Sequence, residues 1–124
     1  MDKFLGAVLL LGLTTNFAAA QDPTKTEPAH YKLAFENDKV QVVDIHYGPH
    51  EKSGMHEHPA GVVVYVSAGH LKFTDPDGNV KEVFAKAGEA RFFPAFKHKV
   101  ENLDDKSFDG VYIGLKSKSA APKK

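Results

Sequence analysis

The sequence predicts an all-β domain, either a sandwich or a barrel of six or more short strands. Runs of β-branched and aromatic residues are interrupted by turn residues about every eight to twelve positions. Downstream of the first twenty residues, no window sustains a helical period over three turns. The chain has 124 residues and no internal repeat, so one domain is expected, which we place at residues 31–115.

The strands follow one another along residues 39–115. Residues 39–48 alternate loosely between polar and β-branched side chains and stop at Gly48-Pro49. The run VVVYVSAG at 62–69 is almost continuously β-branched, which indicates a strand buried inside the domain. The segments EARFFP, HKVENL and FDGVYIGLK predict three further short strands.

The clearest local prediction is a β-hairpin. Residues 71–74 and 80–84 form two short strand-like runs. The sequence Asp75-Pro76-Asp77-Gly78 between them supplies the residue types that tight turns require.

The first twenty residues predict a secretory signal peptide. Lys3, an apolar run over residues 4–13, and Ala18 and Ala20 occur in the order of such a segment, so cleavage is expected after Ala20. The mature protein would then be periplasmic or secreted. A membrane anchor is the alternative, but the apolar run is shorter than the ~20 residues that span a bilayer. No stable membrane insertion is therefore expected.

Composition excludes several classes of function. Without cysteine, the chain has no disulfides, thiolate metal ligands or cysteine nucleophile, so its core or an oligomer must stabilise it. Sixteen basic residues balance sixteen acidic ones, and no nucleic-acid partner is expected. Residues 21–30 are polar and proline-rich and predict a flexible lead-in, and residues 116–124 predict a disordered basic tail.

Two histidines one residue apart, His56 and His58, are the first candidates for chemistry. On one strand they would share a face, and Val62, Val64 and Val66 would also point inward if the intervening turn keeps the register. His98, on a separate strand, offers a third imidazole. Three neutral histidines leave coordination positions open, as in catalytic or ligand-exchanging metal sites.

The residues around these histidines resemble the two motifs of the cupins. Gly48, His56, His58 and Gly69 match G…H-x-H-x(3)-E-x(6)-G, and Gly88, Pro94, His98 and Asn102 match G-x(5)-P-x-G-x(2)-H-x(3)-N. The resemblance covers residues 40–115. It implies a cupin double-stranded β-helix, or jelly-roll barrel, of the small single-domain kind.

The sequence departs from the cupin pattern at several positions. Seven residues rather than five separate Gly48 from His56, Phe96 replaces the inner glycine of the second motif, and the spacing to His98 is one residue shorter. Val62 occupies the position of the metal-binding glutamate. The resemblance therefore implies three histidine ligands without a carboxylate, and without the usual general base. Three-histidine cupins include iron-dependent thiol dioxygenases.

The pocket beside the metal ligands is expected to be largely apolar. Its predicted residues are Val62, Val64, Phe92, Phe96, Tyr112 and Asn102. Tyr112 would offer a phenolic hydroxyl, and Asn102 is expected to orient the turn after its strand. His50 is the only alternative ligand, and the remaining histidines are predicted to be surface residues.

Three functions remain open. The first is a metal-dependent dioxygenase-like enzyme acting on a small organic molecule, with iron favoured and manganese, nickel, copper or zinc as alternatives. The second is a non-catalytic module that binds a small ligand or a metal. The third is a metal-free barrel that acts through a dimer surface. A homodimer is expected, because cupins commonly pair through an outer sheet and this core is small.

Overall fold

The computed structural model describes residues 22–116, and within that range it contains one short helix and nine strands. The predicted signal peptide and residues 117–124 of the predicted tail lie outside the described residues. The elements are α1 Pro23–Thr26, β1 Tyr31–Glu36, β2 Val40–Tyr47, β3 His56–His58, β4 Gly61–Tyr65, β5 Gly69–Thr74, β6 Val80–Ala85, β7 Ala90–Phe93, β8 Phe96–Asn102 and β9 Phe108–Leu115.

The strands form two antiparallel sheets around one core. The five-stranded sheet has the order β1-β2-β9-β4-β7, and the four-stranded sheet has the order β3-β8-β5-β6. Buried residues of both sheets belong to one hydrophobic cluster, including Val43 and Val63 from the first and Leu71 and Val100 from the second. The predicted all-β class is confirmed, because each sheet buries one face against the other.

The predicted strand runs and the predicted hairpin are present, but the run predicted over residues 62–69 ends as a strand at Tyr65. Strands β5 and β6 pair from Gly69 to Thr74, and the Asp75 carboxylate accepts hydrogen bonds from the backbone N–H groups of Asp77 and Asn79, both at 2.9 Å. Gly78 in this turn has a φ of 89°, which a residue without a Cβ atom adopts freely. No strand is predicted over β1, which is an exposed edge strand with little alternation.

The chain changes sheets between β3 and β4, and this corrects the predicted facing of the β-branched run. Strand β3 pairs with β8, whereas β4 pairs with β7 and β9. Val63 and Tyr65 are 6% and 2% exposed and face the core, whereas Val62 and Val64 lie on the outer face. Val66, which follows the end of β4, is 57% exposed and does not face inward as predicted. Residues 59–60 shift the alternation by one position, and a shift of one residue moves every side chain to the other face.

Residues 22–30, which the sequence predicts as a flexible lead-in, contact the barrel through specific bonds. The Glu27 carboxylate accepts a hydrogen bond from the Gly54 N–H at 3.0 Å. The His30 ring is buried and stacks on Tyr47 with a centroid distance of 4.2 Å. His30 is therefore not the surface residue that its polar, proline-rich surroundings predict, because its partners are distant in sequence.

Candidate metal centre

The structure brings the three predicted ligands together. His56 and His58 lie on β3, and His98 lies directly opposite His56 on the neighbouring strand β8. Their exposed fractions are 0%, 4% and 5%, respectively. One ring nitrogen from each histidine lies within 4.8 Å of the other two, so the group could hold a metal ion. The rings meet edge to face, with interplanar angles of 86°, 80° and 85°.

Burial keeps the three imidazoles neutral near pH 7. It lowers the pKa of His56 to about 4, of His58 to about 3 and of His98 to about 2, because low-dielectric surroundings disfavour a positive charge. The neighbouring imidazoles lower the pKa values of His58 and His98 further by repelling a second charge. Neutral imidazole is the form that coordinates a metal.

Several ring nitrogens in the cluster lack a partner. The Nδ1 atom of His56 lies 2.9 Å from the Gly54 carbonyl oxygen, and a carbonyl only accepts, so this nitrogen donates. The Nε2 atom of His56 then carries a free lone pair. It is buried without a hydrogen-bond partner, as are both ring nitrogens of His98, within the described part of the chain. Each such group costs about 1–3 kcal/mol when left unpaired. A bound metal would satisfy nitrogens of this set, so these residues fit a metal ion.

The surroundings of the cluster are aromatic. The rings of Phe73, Phe96, Tyr112 and Tyr31 have centroids 4.4, 4.6, 4.8 and 4.8 Å, respectively, from the nearest histidine of the group. Over residues 22–116, no carboxylate joins the three histidines as a potential ligand. This agrees with a valine at the position where the cupin motif has its glutamate.

A small internal cavity adjoins the cluster. Its volume is about 40 Å³, and His58 and His98 form part of its wall. A cavity of this size accommodates one or a few water-sized molecules. An organic ligand needs several hundred cubic ångströms, so it would have to approach from outside the barrel.

Two of the predicted pocket residues line this cavity, and four do not. Phe96 and Tyr112 are in its wall, whereas Val62, Val64, Phe92 and Asn102 are elsewhere. Phe92 pairs with Val62 on the outer face of the sheet and is 61% exposed, and Phe93 takes the inward position. The reason is the same change of sheet that turns Val63 inward.

The Asn102 side chain forms hydrogen bonds with two segments of the chain. Its side chain is fully buried, and its Nδ2 group donates to the carbonyl oxygens of Tyr47, Gly48 and Lys106 at 3.3, 3.0 and 2.9 Å. Its Oδ1 atom accepts from the Asp104 N–H at 3.0 Å. These bonds hold the loop after β2 and the turn after β8 beside each other.

Sequence reasoning placed Tyr112 in the pocket but did not assign three other tyrosines to the cavity wall. Tyr31, Tyr47 and Tyr65 all line it, and the hydroxyls of Tyr31 and Tyr47 are 2.8 Å apart. Burial raises the pKa of Tyr47 to about 12. Val43, Ile45 and Tyr47 occupy alternate positions of one strand, so they point to the same face. The two buried apolar residues could therefore have predicted the inward position of Tyr47. His50, the alternative ligand, lies at the surface with its Nε2 atom 2.7 Å from Asp105.

Two surface grooves reach the histidine cluster from outside. The groove that we call the acidic groove has a volume of about 430 Å³ and is lined by Asp22, Pro23, Glu36, Gln41, Val43, Glu57, His58, Pro59, Ala95, Tyr112, Gly114, Leu115 and Lys116. The second, called the aromatic groove, has a volume of about 480 Å³ and is lined by Phe73, Asp75, Asn79, Val80, Lys81, Phe93, Pro94, Phe96, Lys97 and His98.

Fold and site together define a barrel of two antiparallel sheets with a buried three-histidine cluster. The model of the cupin domain family matches residues 43–113, and the chain belongs to this family. The resemblance inferred from the two motifs is therefore confirmed. No curated protein sequence matches the chain.

Solved structures with the same fold include proteins from several microorganisms. A cupin domain from Bordetella pertussis is 26% identical with a TM-score of 0.64, over 68% of this chain and 90% of that one. A double-stranded β-helix protein from Klebsiella pneumoniae is 22% identical with a TM-score of 0.58, over 72% and 77%. An RmlC-like cupin from Methanocaldococcus jannaschii is 15% identical with a TM-score of 0.57, over 73% and 84%. The double-stranded β-helix prediction is thereby confirmed.

Between residues 22 and 116, no helix has the length and apolar character needed to cross a bilayer.

Proposed function

We propose that this chain is an exported cupin that binds one divalent metal ion through His56, His58 and His98. The observation that carries the proposal is a group of three histidines whose ligand atoms lie within 4.8 Å of one another. In the described residues, buried ring nitrogens of two of them, His56 and His98, have no hydrogen-bond partner. Among first-row metals, imidazole suits iron, copper, nickel and zinc. Iron is the ion that we favour, and it would supply activation of dioxygen for a dioxygenase-type oxidation of a small organic molecule.

The protein's own residues would provide orientation and exclusion of water. The Gly54 carbonyl fixes the proton of His56 on Nδ1 and leaves Nε2 for the metal. The aromatic wall keeps the inner cavity small, so that only a molecule of about the size of water enters it. Burial raises the pKa of Tyr112 to about 12, and its hydroxyl donates to the Pro59 carbonyl oxygen at 2.5 Å. Tyr112 is therefore a proton donor rather than a base at neutral pH.

A second candidate is a module that binds metal without catalysis. Among residues 22–116, no aspartate or glutamate joins the three histidines, and none lines the inner cavity. Proton abstraction from a substrate needs a positioned acceptor with a suitable pKa, and the cavity wall offers only tyrosines and neutral histidines. This observation favours the non-catalytic alternative.

Elemental analysis tests the metal proposal. The protein is purified without a histidine tag under anaerobic conditions, alongside His56→Ala, His98→Ala and the control His46→Ala. His46 is an exposed histidine outside the cluster. We expect about one metal ion per chain in the wild type and the control, and loss of the metal in both cluster variants. Equal metal content in all four proteins would contradict the proposal.

Oxygen consumption separates the two candidates once the metal is known. The iron-loaded protein is assayed with a panel of small thiols and small aromatic compounds, and the His98→Ala variant serves as the blank. Substrate-dependent oxygen uptake in the wild type alone would support the enzyme. Stoichiometric metal without oxygen uptake on any substrate would select the binding module.

Export and self-association are predictions, and each can be tested by a direct measurement. Mass spectrometry of the protein from the cell envelope fraction should find an amino terminus at Gln21 if the signal peptide is cleaved after Ala20. Sedimentation velocity should find a species of twice the chain mass if the predicted homodimer forms. An uncleaved chain in the cytoplasm or a monomer would contradict the corresponding prediction.

A further inference from the structure

The two surface grooves that reach the histidine cluster differ in charge. Among the residues lining the acidic groove are three carboxylates, Asp22, Glu36 and Glu57, and one cation, Lys116, which forms an ion pair with Glu36 at 2.5 Å. The aromatic groove has two cations and one carboxylate in its lining. A negatively charged ligand would therefore be repelled from the first groove and attracted to the second.

One wall of the aromatic groove is apolar and includes His98, one of the three proposed metal ligands. Phe73, Phe93 and Phe96 are partly buried and pack against the core, while each also lines the groove. The His98 ring lies 4.4 Å from Phe73 and 4.6 Å from Phe96. His98 is 5% exposed, and both of its nitrogens lack a partner among the residues that the structure describes. A flat apolar molecule in this groove would lie beside the histidine cluster.

Lys81 is the candidate ion-pair partner for an anionic group on such a molecule. It lies directly opposite Phe73 in the β5–β6 pair, so both side chains are on one face of the sheet. The next inward position on β6 is Val83, which is 5% exposed, whereas Lys81 itself is exposed. The lysine therefore stands on the core-facing side of its strand, where the groove opens to solvent.

The carboxylate in the aromatic groove is already engaged. Asp75 accepts hydrogen bonds from the backbone N–H groups of Asp77 and Asn79 at 2.9 Å and from the Asn79 side-chain amide at 3.2 Å. These bonds direct the Asp75 carboxylate into its own turn. Lys81 places a positive charge on the groove wall.

We propose that the aromatic groove binds a small aromatic or apolar carboxylate, with its flat body on Phe73, Phe93 and Phe96 and its anionic group towards Lys81. This inference rests on the proposed function insofar as the bound molecule is the substrate or ligand of the adjacent metal. The groove volume of about 480 Å³ falls in the range of small-molecule sites. The inner cavity of about 40 Å³ does not.

The test uses three probes of one shape and different charge: phenylacetate, phenylacetamide and benzylamine. Isothermal titration calorimetry of the full chain, both metal-loaded and metal-free, measures their affinities. We expect phenylacetate to bind about threefold or more tightly than phenylacetamide, as one partly exposed ion pair provides, and benzylamine to bind most weakly. No binding of phenylacetate at about 10 mM, or a preference for benzylamine, would overturn the proposal.

Two exposed valines provide matched variants. Val80 lines the aromatic groove and is 56% exposed, and Val66 lies outside it and is 57% exposed. Val80→Asp should weaken phenylacetate binding about fivefold or more by adding a negative charge at the groove, and Val66→Asp should leave it unchanged.

Lys81→Gln should remove the preference for phenylacetate over phenylacetamide, whereas Lys99→Gln, outside the groove, should not. Equal effects of the two members of either pair would overturn the proposal.

The metal content of the same samples distinguishes this proposal from the preceding one. Phenylacetate binding to a chain that never takes up metal would uphold the groove and refute the metal site. Stoichiometric metal without phenylacetate binding would uphold the metal site and refute the groove. Failure of the groove proposal and failure of the metal proposal would therefore give different combinations of phenylacetate binding and metal content.

Discussion

Six of the seven histidines of this protein fall into two groups whose environments differ sharply. His56, His58 and His98 are buried, face one another, and have no carboxylate joining their cluster within residues 22–116. His46, His50 and His70 lie near the surface, and each has a ring nitrogen 2.7–2.8 Å from a carboxylate oxygen, of Asp109, Asp105 and Glu82, respectively. Burial among aromatic rings disfavours the charged imidazolium, whereas an exposed ring nitrogen can form a hydrogen bond with a surface carboxylate. The same side chain is therefore suited to a surface pair in one place and to a metal in the other.

The pH dependence of stability should show the largest difference between the two groups. The folded-state pKa values of the buried histidines are about 4, 3 and 2, below the ordinary value of 6.5. Below about pH 6.5 the unfolded chain therefore binds more protons, and each histidine lowers the free energy of unfolding by up to about 1.4 kcal/mol per pH unit. This loss continues as the pH falls towards the folded-state values.

Urea unfolding of the metal-free protein at several pH values between about 7.5 and 4 measures this loss. His98→Leu should reduce the slope by up to about 1.4 kcal/mol per pH unit, because one titrating group is removed. In His46→Gln, the free energy of unfolding should fall with pH below about 6.5 as steeply as in the wild type, because the three buried histidines are unchanged. A wild-type stability that stays constant down to about pH 4 would show that the cluster is not kept neutral by the fold.

Metal should stabilise the protein through the buried group alone. At a free metal concentration about 100 times the dissociation constant, binding to the folded state adds about 2.7 kcal/mol. In a domain of this size that gain raises Tm by about 10 °C or more. Thermal unfolding followed by circular dichroism should show this shift in the wild type and in His46→Gln, but not in His98→Leu. A similar shift in His98→Leu would locate the metal elsewhere.

Replacing His98 by leucine should stabilise the metal-free protein at neutral pH while abolishing metal binding. Both ring nitrogens of His98 are buried without partners in the described structure, and removing such groups relieves a cost of about 1–3 kcal/mol. Asn102→Leu is the matched control, because its amide donates to three carbonyl oxygens. That variant should lose about 3 kcal/mol. Chemical denaturation should therefore give changes of opposite sign, and destabilisation of both variants to the same extent would contradict the comparison.

The surface group should have the smallest effect. His46 and Asp109 have side chains that are 56% and 47% exposed. Exposed pairs contribute about 0–1 kcal/mol, so His46→Gln should change the free energy of unfolding by about 0.5 kcal/mol or less. Metal content and the metal-induced rise in Tm should stay as in the wild type. A loss of metal in His46→Gln would show that the two groups are coupled.

Local patterns determined most of the strands and the identity of the three candidate ligands. The hairpin at Asp75 to Gly78 follows from turn chemistry, and the β-branched run at β4 follows from propensity, since both depend on neighbours in sequence. The spacing of His56, His58 and His98 within two recognisable motifs was sufficient to select them from seven histidines. Strand pairing then places His56 opposite His98.

The tertiary structure alone decided which residues surround those ligands. Alternation carried through residues 59–60 predicts Val62 and Val64 inside, but the chain leaves one sheet for the other there, and Val63 and Tyr65 face the core instead. The packing of His30 on Tyr47 likewise joins two segments that no local pattern connects. Sequence periodicity describes one strand at a time, whereas the facing of a side chain depends on the sheet that its strand joins.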